Sequence, residues 1–539
     1  MIVPRDYQEE ARKAVHDKWV DHRSTMVVVA TGGGKSIIAS LIIQDMQPKR
    51  ALVIVPTIDL VNQMADDILE ATGLQCSIER AGTYSDEDLF HRTPVVVGTI
   101  QTLCKRHRME RLKPKDFGLL LIDEMDLAAA PSYRRVMDHF YQNEGLKMVG
   151  FTATPKRGDG AALKQVCESV AFEMYIPEAV KRGWLVKPVG QFASVGRLDL
   201  SQVHTSKGGD FNQQELAKVL ESDEVILGMA QPIIEVTFGL EPKTLSSQPI
   251  GEWRNYLSTL PQQPRRGIVF VVRVEQAESM SATLNLAYPG ISEWVCGETE
   301  REDRTDIFNR LQSGKTPIVC NVQVISRGVD IPAVETIFMA APTKVWSRYV
   351  QRMGRGTRPL KGVVDGPATP EERRAAIAAS AKPWVRIVDF CGDTGRHKLI
   401  TSFDALGGHM SEAVLARAKK KALETGKPVS IAENLNNTDQ EIKKEKQEEE
   451  RKRALVRVDY SMRDVDLLGG GHATKWHANH NSVDPATEPQ RRCLGKAGVH
   501  PSWWSFKQAQ WIIGKLVSNH WRLPAEMEFL KRPKHQKAV

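Results

Sequence analysis

Short β-branched and apolar runs recur along the first 395 residues, separated by stretches whose apolar positions repeat at helical spacing. The clearest runs are Met26–Ala30, Ala51–Val55, Val95–Gly98, Leu119–Ile122 and Met148–Phe151. A second series follows at Gly267–Val272, Pro317–Cys320, Thr336–Met339 and Val385–Phe390. Apolar runs of this length, without polar alternation, predict strands buried on both faces. Between them Ser36–Met46, Thr57–Thr72 and Arg301–Ser313 read as helices. The alternation predicts parallel sheets covered by helices, and the two series predict two such sheets in tandem. Pro188 and Gly190 interrupt the pattern near Trp184–Gly190, so the expected domains are 1–188 and 189–395. Four prolines in Pro242–Pro264 predict an inserted loop at about 240–265.

Beyond residue 395 the pattern changes. Ser411–Val458 is helical in composition and strongly charged, above all at Glu441–Arg453, and predicts a solvated helical linker within 396–484. Residues 485–539 predict a small helical domain: Thr487-x-x-Gln490 and Ser505-x-x-Gln508 are capping-box spacings, and Ala509, Ile512, Ile513 and Leu516 form one apolar face.

The charge sharpens this division. Of the formal +8, residues 396–539 carry 26 Lys and Arg against 17 Asp and Glu, so residues 1–395 are close to neutral. A basic appendage on a neutral core points to a polyanionic partner, for which nucleic acid is the usual candidate, or to a solubilising tail. Pro485–Val539 holds ten basic residues, three acidic ones and Trp503, Trp504, Trp511 and Trp521. Trp503 and Trp504, in a loop, are the candidates for exposed stacking on unpaired bases. The seven cysteines are scattered without a C-x-x-C pair, which fits reduced thiols in a cytoplasmic protein. No apolar run approaches the roughly 20 residues that span a bilayer, and Met1–Asp6 shows no secretory pattern. His472, His477, His480 and Asn481 lack a second ligand cluster and predict an exposed polar loop.

Two motifs carry chemistry. Ala30-Thr31-Gly32-Gly33-Gly34-Lys35-Ser36 follows an expected strand and opens an expected helix. Glycines let the backbone wrap phosphate oxygens, and the helix start supplies N–H groups and the positive end of a dipole. Lys35 is placed to reach the β- and γ-phosphates of ATP, and the Ser36 hydroxyl to ligate Mg²⁺. The first glycine of the general phosphate-loop pattern is replaced by Val29. Some 90 residues on, Leu119-Leu120-Leu121-Ile122 runs into Asp123-Glu124-Met125-Asp126, which puts carboxylates at the end of a buried strand. Asp123 would hold Mg²⁺ through water, and Glu124 would orient and deprotonate the attacking water.

These signals define a nucleotidase; the order of further motifs resembles superfamily 2 helicases over about residues 1–395. Arg5-Asp6-Tyr7-Gln8 resembles the family's opening motif, with Gln8 at the adenine edge. Thr152-Ala153-Thr154-Pro155 is similar to the third motif, which with Asp126 couples hydrolysis to nucleic-acid binding. Ser326-Arg327-Gly328-Val329-Asp330 resembles the fifth motif, with Gly328 and Asp330 near the ribose. Gln351-Arg352-Met353-Gly354-Arg355-Gly356-Thr357-Arg358 is similar to the sixth, which makes Arg355 and Arg358 arginine fingers and puts Gln351 at the nucleotide. Guanidinium groups there would meet the negative charge spread over the transferring phosphoryl oxygens. Asn321–Pro332 and Glu178–Leu185 bring RadD-like and phage UvsW-like DNA helicases nearest, with restriction-enzyme motor subunits close by.

The resemblance implies two tandem RecA-like domains enclosing one Mg-ATP, followed by the small helical region. It also implies a nucleic-acid track through Pro56, Thr57, Thr99, Gln101 and Asn321, gripping mainly the phosphate backbone. The expected cofactors are ATP and Mg²⁺, without zinc, since the cysteine cluster of RadD-like chains is missing here. DNA is the expected partner, together with a single-strand-binding protein or other replication and recombination proteins, and no membrane. Asp126 as last residue of the acidic box points towards an RNA helicase instead. A DNA-stimulated clamp without unwinding and a defence-complex motor are the other readings.

Overall fold

The computed structural model describes residues 3–85, 92–155, 166–206, 209–246, 249–261, 263–324, 331–393, 400–407, 410–425, 428–455, 486–499 and 506–522. The chain divides into two compact units, Met1–Glu445 and Lys446–Val539.

The first unit contains two seven-stranded sheets. One is built from β1 (Ser24–Val29), β2 (Arg50–Val55), β3 (Cys76–Glu79), β4 (Val95–Thr99), β5 (Phe117–Asp123), β6 (Lys147–Thr152) and β7 (Ser169–Met174), in the order β3-β4-β2-β5-β6-β1-β7. All its neighbours are parallel. The fully buried β1, β2, β4 and β5 are the apolar runs of the sequence, as expected of strands covered on both faces. Around this sheet lie α1 (Asp6–Asp21), α2 (Lys35–Asp45) and α3 (Ile58–Thr72), among others. In α3, Val61, Met64, Ile68 and Ala71 form the buried stripe.

The second sheet comprises β8 (Lys187–Asp199), β9 (Gly267–Phe270), β10 (Ser292–Val295), β11 (Ile318–Asn321), β12 (Thr336–Met339), β13 (Trp384–Asp393) and β14 (Val429–Ser430). Its order is β10-β11-β9-β12-β13-β8-β14, parallel except for β14. Two tandem parallel α/β sheets are thus present, as the apolar runs predict.

Three local readings are corrected. Pro188 and Gly190 do not interrupt the chain between sheets but lie inside the 13-residue β8. Near the edge, β14 pairs only with Val189 and Gly190, so the N–H that Pro188 lacks is not needed on that side. A Cβ on Gly190 would come within 3.0 Å of Ile431 and Ser402, so close packing explains the glycine. The 240–265 stretch is not all loop: Ile250–Leu257 is a helix that follows Pro249 and buries Trp253 and Leu257 in the second sheet's core. The charged stretch after 411 is not merely solvated. Glu412–Thr425 and the start of Ile431–Leu455 bury Val414, Ala418, Ala422, Ile431 and Leu435 with Phe403. Arg417 and Lys421 bridge to Glu441 across these two helices.

In the second unit, Glu488–Lys496 and Phe506–Ser518 are helices. Thr487 and Gln490 form the expected capping box. Ala509, Ile512 and Leu516 are buried, with Ile513 partly so. Ser505, Trp503, Trp504 and the His472–Asn481 stretch lie outside the described residues. Among the described residues no helix is long and apolar enough to cross a membrane.

Candidate nucleotide site and strand cleft

β1, fully buried, delivers the chain into the 30–36 loop. Gly32 and Gly34 take left-handed backbone (φ 86° and 69°), which glycine adopts without steric cost. A Cβ on Gly33 would fall 2.5 Å from Val29, so the missing first glycine is accommodated: Val29 is still strand, packed under the loop. Lys35 and Ser36 open α2, whose N-terminus has no side-chain cap, and an uncapped helix start presents its N–H groups to an anion.

β5 and β6 are neighbours, and β6 pairs with β1. The acids that follow β5 therefore come up beside the phosphate loop. Glu124 stands at φ 53°, a strained setting for a non-glycine residue. Its carboxylate lies 3.6 Å from the Lys35 ammonium. Asp123, Glu124 and Asp126 are all buried. Burial first, and then the Glu124 charge, push the Asp126 carboxyl up to about 6. Thr152 Oγ1 donates to Asp126 at 3.1 Å and accepts from the Thr154 amide at 3.1 Å, so the third motif is tied directly to the acidic box.

The second sheet contributes through the helix Trp346–Gly354 and the turn after it. Gln351 Nε2 donates to Glu124 at 3.4 Å. Gly354 packs so closely on Thr31 that a Cβ there would sit 2.5 Å away, and the Arg358 stem covers Gly32. A cavity of about 270 Å³ is lined jointly by Gly32, Lys35, Ser36, Asp123, Glu124, Arg355 and Arg358. The set fits a magnesium nucleoside triphosphate: one ammonium and two guanidiniums for the phosphates, with a hydroxyl and carboxylates as hard oxygen ligands for the metal. Gly328 and Asp330, with the rest of the fifth motif, lie outside the described residues.

Gln8 is buried beside the loop; its side-chain oxygen accepts from the Arg5 amide at 2.8 Å, and its amide nitrogen is 3.5 Å from the Gly34 carbonyl. Tyr7 OH donates to the Gly33 carbonyl at 2.6 Å. A clamp surrounds this helix start, and of its members Arg373 had no sequence signal. The guanidiniums of Arg5 and of the fully buried Arg373 both lie over the Trp184 ring, at 4.7 and 3.9 Å from its centroid. Trp184 Nε1 and Arg373 both donate to Asp6.

The residues expected to follow a strand of nucleic acid divide. Thr57 and Gln101 are accessible, and Gln101 Nε2 donates to the carbonyl of buried Pro56 at 2.9 Å. Thr99 is buried, its hydroxyl on Thr102, and Asn321 is fully buried at the end of β11. Gln323, two residues further, is exposed instead and stands at φ 61°. It lines cavities of about 590 and 560 Å³, both shared with Thr57 across the two sheets. Arg304 bridges the sheets there by pairing with Asp59 at 3.1 Å. Neither Gln323 nor Arg304 stands out in the sequence, because glutamine has no preference for left-handed backbone and an arginine on a polar helix reads as solvated.

The fold and these motifs resemble those of the superfamily 2 helicases, a class of ATP-dependent enzymes, and two of that class's family models match parts of the chain. Residues 1–157 match the family described as type III restriction enzyme, res subunit, and residues 252–359 match the helicase conserved C-terminal domain. Over 372 residues the chain is 27% identical to the ATP-dependent helicase IRC3 of Saccharomyces cerevisiae, covering 66% of this chain and 49% of that one. It thus spans about half the length of that relative. To the ATP-dependent DNA helicase uvsW of Enterobacteria phage T4 it is 22% identical over 369 residues, 66% of each chain. A fragment of an HsdR subunit of a type I restriction enzyme from Vibrio vulnificus YJ016 shares the fold, with a TM-score of 0.50 at 19% identity over 75% of this chain and 67% of that one.

Proposed function

We propose that the chain is an ATP-driven DNA helicase or translocase acting on branched DNA or single-strand/duplex junctions in replication, recombination or repair. One observation carries the reading: a single cavity unites the phosphate loop and acids of one sheet with Arg355 and Arg358 of the other. A site split between two sheets couples ATP turnover to their relative movement, and alternating grip on a strand converts that movement into translocation.

In this reading Lys35 holds the phosphates and Glu124 takes the proton of the attacking water. Arg355 and Arg358 meet the charge that develops on the transferring group. Ser36 and Asp123 would hold Mg²⁺, which neutralises phosphate charge when bound. Thr57, Gln101 and the Gln323 loop border the cleft where a strand would lie, and DNA is favoured by the name of the phage relative. Asp126 in the acidic box favours RNA as a second reading.

The test is ATPase activity with single-stranded, duplex and forked DNA and with RNA, run beside strand displacement. Stimulation by forked or single-stranded DNA with displacement is expected. Stimulation by RNA alone overturns the DNA assignment, and DNA stimulation without displacement or translocation reduces the protein to a clamp.

A further inference from the structure

We propose that the C-terminal helical unit holds a binding site for one unpaired nucleotide, formed by Trp521 opposite Arg492 and Lys496. The assignment of that nucleotide to DNA rests on the function proposed above; the site itself does not.

The unit's core is small. Ala486, Leu494, Val499, Ala509, Ile512 and Leu516 are its buried apolar residues among those described. Trp521 is not one of them: it is 54% exposed. The chain spends conformational strain to place it. After Phe506–Ser518 ends, His520 and Trp521 both adopt left-handed backbone, at φ 53° and 59°. For a side chain as bulky as tryptophan this is an outlier. The Trp521 amide donates to the Leu516 carbonyl at 2.7 Å, which fixes the reversal. The indole thereby comes to line a cavity of about 630 Å³ against the Glu488–Lys496 helix, whose side is formed by Pro489, Arg492, Cys493 and Lys496.

Arg492 and Lys496 are four residues apart and so lie on one helix face, where like charges destabilise a helix unless an anion joins them. Glu488, which also lines the cavity, pairs with Arg492 at 3.3 Å among the described residues and leaves Lys496 for the ligand. From Glu488 to Arg522 the chain has six Lys and Arg and one acid, so the surroundings reinforce the positive field. An exposed indole and two cations lining one cavity suit a ligand with both a π-face and a phosphate. In a duplex the base faces are stacked away, so the ligand is an unpaired nucleotide within a strand, with its base on Trp521 and its phosphate at Lys496 and Arg492. An acidic peptide would use the cations but leave the indole without a role.

Cys493, half-buried in the cavity wall, provides a local probe. The full chain is alkylated with N-ethylmaleimide alone, with dT16, with rU16, with a blunt duplex of equal length and with polyglutamate, and modification of Cys493 is read by peptide mass spectrometry. Protection by dT16, and little by the duplex or polyglutamate, is expected. Trp521→Ala should weaken dT16 binding roughly tenfold while Trp521→Phe, which keeps a stacking ring, stays within about threefold of wild type. Protection by rU16 alone keeps the site and overturns the DNA assignment. Equal protection by polyglutamate, or none by either oligonucleotide, overturns the site. If Trp521→Ala fails to fold, the wild-type protection pattern decides.

Discussion

The two sheets of the first unit have the same number of strands but serve the site differently. The first delivers its groups from strand ends: β1 leads into the phosphate loop, β5 into Asp123 and Glu124, and β6 into Thr152 and Thr154, on three adjacent strands. Their mutual distances are fixed by the ladder itself. The second sheet contributes from one helix, Trp346–Gly354, and the turn that follows. That helix is held from below, where Tyr349 OH donates to Asp389 of β13 and Arg352 donates to the Ala341 carbonyl at 2.6 Å. Its groups belong to the site only while Gly354 sits on Thr31. Under the proposed function the difference teaches a division of labour: one sheet would hold the reacting groups, and the other would complete the site only on contact.

If that division is right, first-sheet substitutions act on the chemistry itself. Lys35→Ala should abolish hydrolysis, by removing the ammonium at the phosphate loop. Glu124→Gln should keep ATP binding but slow turnover by roughly 10³-fold, because an amide cannot take the water's proton. Single-turnover hydrolysis beside nucleotide binding checks both. Normal turnover by Glu124→Gln would remove Glu124 from its role.

Second-sheet substitutions should divide binding from turnover. Arg355→Ala or Arg358→Ala should lower kcat by about 10³-fold with ATP affinity changed far less. A large loss of affinity instead would mean that the guanidinium holds the ground state, and the contrast between the sheets would fail for that residue.

Thr152 sharpens the comparison from within the first sheet. Its hydroxyl joins Asp126 to the Thr154 amide. Thr152→Ala should reduce strand displacement roughly tenfold while basal ATPase stays within about threefold, since the link carries coupling rather than bond cleavage. Equal losses in both assays would make it part of the hydrolytic site.

How much of this was legible follows from what each residue does. The apolar runs of β2, β4 and β5 could be read directly, because strands buried on both faces carry no alternation to confuse them. The short β3 and β10, only partly buried, offered no such run. β8 was hidden because its proline and glycine look like breakers, and only their packing against β14, Ile431 and Ser402 shows why they are tolerated. The phosphate loop and the acidic box were readable as local spacings, whereas the two arginines were reached only through resemblance to the sixth motif. Arg373 was not: its burial against Trp184 and Asp6 joins residues 367 positions apart, and nothing local marks it. Asn321 and Gln323 show the same limit, since a strand's end decides which of two nearby side chains faces the cleft.

The smallest expected effect concerns the support under the second sheet's helix. Asp389 is fully enclosed; it accepts from Tyr349 OH, and from the Ser402 amide and hydroxyl at 3.1 and 2.8 Å. Burial outweighs these donors and pushes its carboxyl up to about 6, above the ordinary 3.8. A carboxyl whose value is raised by folding binds protons more tightly in the folded chain than in the unfolded one. Its ionisation therefore lowers stability, fully so above pH 6, and that penalty is relieved as pH falls from about 6 towards 3.8. Asp389→Asn removes the titration while keeping an oxygen for Ser402 and an amide that can donate to the Tyr349 oxygen. Relative to wild type, the variant should gain stability at pH 7 and keep only part of that advantage at pH 5, read as the difference between their urea midpoints. Asp389→Ala, which orphans the donors, should be destabilised at both pH values by about 1–3 kcal/mol. An Asn variant whose difference from wild type does not change between pH 5 and 7 would show that Asp389 does not titrate in that range, and that its donors offset burial completely.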